Sequence, residues 1–141
     1  MIEGIYNFLG LIGFHHSLHP IIVHIPMGMV IGSVAFSLAD KVWKSKNFDR
    51  TAYHCALLAL IFVVPVYIAG LLDWQHVFGG DPSIWITIKM ILGAALTVVL
   101  IFTVVQKIRG VPQQRIFLLY LLSLAICGGL GFSGGELLFG G

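Results

Sequence analysis

Histidines and carboxylates carry most of the chemistry available to this chain, and five of them, His19, His24, Asp73, His76 and Glu136, fall in three short segments that stand out. The first is His19-Pro20-Ile21-Ile22-Val23-His24-Ile25-Pro26. Imidazole is the side chain best suited to ligate haem iron or a transition metal and to move a proton near neutral pH. Pro20 suits the first turn of a helix, where its missing N–H is no loss. His24 then lies about 6 Å further along at 1.5 Å per residue. Pro26 cannot donate to the carbonyl of Ile22, so a bend near His24 is expected. His19 and His24 are five residues apart, about 140° around a helix, and do not share a face. His24, Gly28 and Gly32 do share one. A histidine above two glycines leaves a groove, which reads as room for a flat cofactor under its axial ligand. It reads equally as a helix contact of the GxxxG kind with His24 hydrogen-bonded above it.

The second segment is Gly70-Leu71-Leu72-Asp73-Trp74-Gln75-His76. Asp73 and His76 are three apart and lie side by side on a helix. That spacing fits two metal ligands, or a carboxylate orienting a ligating histidine. Trp74 fits an anchor in the membrane interface. The third segment, Cys127 to Glu136, packs five glycines into the eight residues from Gly128 to Gly135. Such density points to close backbone approach, with Gly131 and Gly135 forming a second GxxxG. Glu136 can pair with Lys89, ligate a metal or orient a histidine. His54 has no second histidine at its depth and reads as interfacial. Cys55 and Cys127 belong at different depths and are not expected to form a disulfide.

These segments need elements to position them, and composition says which. Of 141 residues, 58% are hydrophobic and 10% charged, with mean hydropathy +0.98. Soluble domains run at roughly 45–50% and about 25%. Too little polar surface remains to cover a water-soluble globule, so the solvent is lipid. Disorder and a disulfide scaffold are excluded, and a net charge of +2 gives no sign of nucleic-acid binding. A span needs about 20 mostly apolar residues, and four stretches meet or approach that length: 20–39, 53–72, 84–105 and the shortest, 116–132. Residues 19–141 therefore read as one four-span membrane domain, an all-α antiparallel four-helix bundle with short connections. Ile2, Ile5, Leu9 and Ile12 recur at helical spacing, so segment 1–18 suits a short helix lying in the interface.

Seven of the eight cationic residues fall between spans one and two or between three and four. That side is expected to be cytoplasmic, which puts both termini outside and the protein in a bacterial inner membrane as a multi-pass protein. No Lys or Arg precedes the first span, so the charged front of a signal peptide is missing. The outer leaflet then collects His15, His16, His19, His24, Asp73, His76, Asp81, Lys89 and Glu136. Ionisable groups within a membrane are costly and default to a functional hypothesis. Convergence of His24, Asp73 and Glu136 is expected, with His19 and His76 close by.

Three motifs, His-Pro-Ile-Ile-Val-His-Ile-Pro-Met-Gly (19–28), Gly-Leu-Leu-Asp-Trp (70–74) and Gly-Phe-Ser-Gly-Gly-Glu-Leu-Leu-Phe (131–139), occur in that order. Together they resemble the bacterial membrane family catalogued as domain of unknown function 2231. The resemblance implies a four-helix membrane domain. It marks His19, His24, Asp73 and Glu136 as matching positions. Some members resemble this domain fused to Rieske iron–sulfur or cytochrome c modules, which by analogy implies electron transfer. Many members also carry a histidine early in the third span and another after the Glu motif. Here Ile-Thr-Ile-Lys-Met (86–90) and the Phe-Gly-Gly tail have neither, so a site that needs the third-span histidine is altered or lost.

Three functions follow. One is a redox-associated subunit binding haem b near the outer face, with His24 as first ligand, His19 or His76 as second, and Gly28 and Gly32 making room. It would pass electrons within or to a membrane complex, or to a periplasmic cytochrome or iron–sulfur protein. Another is a transition-metal site built from His19, His24, Asp73, His76 and Glu136. The last is an accessory or assembly subunit without cofactor, docking other membrane subunits or a second copy of itself. No nucleophile with an adjacent base occurs in a recognisable motif, so no hydrolase is predicted and the chain does not read as an enzyme on its own.

Overall fold

Lipid offers no partner to a backbone amide, so an apolar stretch crossing it must bond to itself. All four stretches do so as helices. The computed structural model describes residues 2–13, 19–76 and 79–140. It contains α1 (Ile2–Leu11), α2 (His19–Val42), α3 (Phe48–His76), α4 (Ile84–Ile108) and α5 (Gln113–Phe139), with a 3-10 turn at Lys44–Lys46 and no strand among the described residues. The expected His15 and His16 lie outside the described residues.

The four long helices run 24 to 29 residues, about 36–44 Å at 1.5 Å per residue. This exceeds a hydrocarbon core of about 30 Å, so the helices continue into both interfaces and each is longer than its apolar stretch alone. α2 runs unbroken through Pro26, and α5 runs unbroken through its glycines to Phe139. Much of each helix remains apolar on its outside: only 17–28% of each apolar window is buried in the bundle. Ile31, Ile61, Val98 and Leu118 are among the large side chains turned outward. A helix apolar on all faces belongs in lipid.

Each long helix packs on its sequence neighbour, and α5 returns to α2, closing a ring. The tightest pair is α2 with α3. Ala52, Ala56 and Ala59 are fully buried and follow the i, i+4, i+7 pattern of one helix face. They share a core with Val30, Val34, Leu100, Ile116 and Tyr120. The hydroxyls of Ser33, Thr103 and Ser123 are buried too, and each donates to a carbonyl four residues back in its own helix. A polar atom in an apolar core is thereby satisfied without a partner helix.

Two turns close the end of the bundle where α2 and α4 finish. Asp40 of α2 accepts from the Asp49 backbone N–H at 3.1 Å, satisfying a donor in the first turn of α3. α4 ends in a Schellman arrangement: Gly110, at φ 73°, donates to the Lys107 carbonyl and Val111 to that of Gln106. Pro112 then stops the helix. Lys107 ion-pairs with Asp49 and donates to Gln113 at 3.0 Å, and Gln113 donates to Ser37 at 3.3 Å. One polar chain thus ties all four helices together.

The glycine contacts expected from the i, i+4 pattern are met in part. An ideal Cβ on Gly32 would stand 3.2 Å from Cys55 Sγ, and one on Gly131 would stand 3.5 Å from Met27. Gly28, Gly128 and Gly135 meet nothing within 4 Å, whereas Gly129, outside that pattern, packs on Leu92 at 3.2 Å. The physical reason is phase. A helix that is apolar all round does not reveal which face turns inward.

Candidate functional site

The opposite end, where α2 and α4 begin, is not closed in this way. A cavity of about 510 Å³ lies there, walled by all four long helices. Its deepest lining residues are Met27, Val63, Leu96 and Leu130. The polar side chains on its wall include His19, His24, Tyr67, Asp73 and Lys89.

Asp73 is buried, and its position explains two motifs at once. His19 opens α2, so its backbone N–H is one of the donors a helix start leaves without an internal partner. That N–H donates to Asp73 Oδ2 at 2.8 Å. Pro20, next in line, has no N–H to satisfy. A carboxylate at a helix N-terminus also meets the positive end of the helix dipole. The other oxygen, Asp73 Oδ1, accepts from the Tyr6 hydroxyl, which ties α1 to the cavity mouth. Burial first, then the hydrogen bond and charge of Asp73, hold the Tyr6 phenol protonated well above its ordinary range.

The His19 ring is fixed independently. Its Nδ1–H donates to the Val66 carbonyl at 3.2 Å; a carbonyl can only accept, so the proton sits on Nδ1 and Nε2 is left for another partner. Gly70 makes room: an ideal Cβ there would stand 3.1 Å from His19 Nδ1. In Gly70-Leu71-Leu72-Asp73-Trp74 each of the three distinctive residues therefore has a structural task. Gly70 admits the imidazole and Asp73 caps α2. Trp74 Nε1 donates to the Asp81 carbonyl at 3.1 Å, fastening the end of α3 to the loop before α4.

The other expected site residues are placed less centrally. His24 lines the cavity but is exposed. His76 is exposed and stacks on Tyr6, with ring centroids 4.0 Å apart and planes 10° apart. Asp73 and His76 thus both touch Tyr6, but one faces into the bundle and the other lies at its rim. Glu136 is half-buried and forms no ion pair with Lys89. Gly28, Gly32 and His76 are not among the cavity-lining residues. Among the described residues, no three of His, Cys, Asp and Glu stand close enough to hold one metal ion. Of the residues expected to converge, Asp73 and His19 are in contact, Tyr6 joins them, and His24 lines the same cavity.

Sequence reasoning passed over Tyr6 and Tyr67. Tyr6 sits in a segment whose helical reading used only its apolar positions. Tyr67 lines the cavity with its hydroxyl over Gly93, where an ideal Cβ would stand 2.9 Å away. Gly93 lies one turn below Lys89 on α4, which is the signal available in the sequence.

A family model described as "Predicted membrane protein (DUF2231)" matches residues 15–140. No curated protein and no solved structure matches the chain. The match covers nearly the whole sequence, so the chain belongs to this family.

Proposed function

From a four-helix membrane protein of this family, we propose a redox-associated subunit that holds haem b in the cavity at the His19 end and passes electrons within or to a membrane complex. The observation that carries this reading is the His19 imidazole. Its Nδ1–H is held by a backbone carbonyl, and the ring stands on the wall of a large apolar cavity. Ligating histidines characteristically donate their other ring nitrogen to such a partner, which fixes the tautomer and raises ligand basicity. His19 takes precedence over His24 because its ring is fixed and half-buried, whereas His24 is exposed. Both come from one helix, and among the described residues the cavity wall holds no histidine from a facing helix, His76 of α3 lying outside it. Haem, when bound, supplies one-electron chemistry. The chain's own part is to orient Nε2, to clear space at Gly70 and to exclude water with apolar walls.

Absorption spectroscopy of the detergent-purified protein, as isolated and after haem addition, tests this. A Soret band with reducible alpha and beta bands is expected, and His19→Ala should abolish it. A wild-type protein that stays spectrally silent after haem addition would overturn the reading.

The seven cations gathered at the Lys107 end support an orientation with that end in the cytoplasm and the cavity facing outward. Cysteine labelling at position 44 should then fail from outside intact cells; labelling there by an impermeant reagent would reverse the orientation. A cofactor-free accessory subunit has one observation in its favour. Gly28 and Gly128 are exposed on the outside of the bundle with nothing against them, as a docking transmembrane helix would require.

A further inference from the structure

Lys89 lies on α4 within the membrane-spanning part of the chain, about 7.5 Å past the helix start at 1.5 Å per residue. A lysine so near a helix end ordinarily extends its amine outward to the interface. This one does not. Its Nζ stands 3.8 Å from where a Cβ on Gly134 would be, so the amine crosses toward the glycine run of α5. It is half-buried and part of the cavity wall. Among the described residues it makes no hydrogen bond and no ion pair within 4 Å. Asp73 is within electrostatic reach, but its two oxygens accept from Tyr6 and from the His19 backbone. Tyr67 places a second donor, its hydroxyl, one turn deeper on the same wall. Below these groups the lining is apolar.

An ammonium at the mouth of an apolar chamber selects for one kind of molecule. We propose that Lys89 seats the carboxylate of an amphiphile whose apolar body fills the cavity. This deepens the preceding reading and rests on it only in taking the cavity as a ligand site. A porphyrin bearing propionates and a fatty acid both have the required chemistry. A charge-assisted hydrogen bond formed away from bulk water is among the strong ones, and it offsets the penalty of holding an amine in this setting.

The test compares each acid with its ester, which keeps the apolar body and removes the charge. Purified protein in detergent is titrated with haem b and with haem b dimethyl ester by absorbance. It is titrated with cis-parinaric acid and with its methyl ester by fluorescence. Wild type should bind at least one acid about tenfold or more tightly than the matching ester. Lys89→Met should erase the difference and Lys89→Arg should keep it. Thermal melting of both variants in the same detergent checks that the bundle has formed.

Discrimination with haem assigns the carboxylate to propionates. Discrimination with parinarate alone, without haem binding, keeps the Lys89 seat and removes the haem reading. Haem that binds wild type no better than its ester, with parinarate showing no preference over its own ester, overturns the seat and leaves the haem reading standing. The seat is equally overturned if Lys89→Met keeps the preference. If none of the four probes binds wild type, both fall.

Discussion

The two ends of this bundle are built from the same four helices and solve opposite problems. At the Lys107 end small side chains let α2 and α3 close on each other, and Ala52, Ala56 and Ala59 leave no accessible surface. Lys107, Asp49, Gln113 and Ser37 then join the helices through one chain of polar contacts. At the His19 end the polar contacts run along the rim instead. Asp73 takes the start of α2 and the hydroxyl of Tyr6, His19 takes a carbonyl of α3, and the centre stays open. Polar groups hold the helices together at one end. At the other they join α1 and α2 to α3 along the rim of a space. The His19 end keeps a cavity of about 510 Å³, whereas the Lys107 end follows the close packing that is the norm in protein interiors.

Adding the same bulk at each end tests this difference most severely. Ala56→Leu places three extra carbons where accessible surface is zero, and overpacking of this kind costs about 1–3 kcal/mol or more. We expect a loss near the top of that range in thermal or denaturant unfolding in detergent. Gly135→Leu adds still more bulk at a position lining the cavity, where an ideal Cβ meets nothing within 4 Å. It should leave stability within about 1 kcal/mol of wild type, helped by the poor helix propensity of the glycine it replaces. It should weaken binding of the cavity probe by about tenfold or more. Equal destabilisation by both variants would mean that the two ends are not differently packed.

The comparison also separates what the sequence makes legible from what it hides. The four spans follow from apolar length and continuity, since a long unbroken apolar run in lipid fits a helix and not the short alternating strand of a closed barrel. Their ends do not, because a helix stops where its last amides and carbonyls find partners. Lys41, Asp73 and Lys107 are helical despite being charged. His19 and Asp73 are legible as two of the ionisable residues gathered in one leaflet, with His19 expected close to Asp73, and they do meet. What they do for each other was not identifiable: the contact is from the His19 backbone to the Asp73 carboxylate, and spacing arguments concern side chains. The placement of Gly28, His76 and Glu136 away from the centre has one cause. Residues sharing a depth need not share a face, and apolar residues on all sides remove the amphipathic signal that would show which face turns inward.

The smallest expected effect concerns the rim. Tyr6 joins α1 to the rest of the molecule through its hydrogen bond to Asp73 and its stacking on His76. Tyr6→Phe keeps the ring and removes the hydroxyl, a change of about 1 kcal/mol for an ordinary hydrogen bond. Global unfolding should hardly move, because none of the described side chains of α1 belongs to the core between the long helices. Amide exchange within Ile2–Leu11 should accelerate several-fold while that of α3 stays unchanged. The pH dependence of the same contact has a definite sign. The folded state holds the phenol proton more tightly than the free side chain does. The contact is therefore fully present below the ordinary phenol value of about 10, and it is lost as pH rises through the elevated folded value. Exchange protection of α1 should accordingly be flat from neutral pH to the ordinary phenol value, once the intrinsic base catalysis of exchange is divided out, and fall above it. In Tyr6→Phe that step should be absent. A step of the same size in both proteins would place the titration elsewhere and separate Tyr6 from the docking of α1.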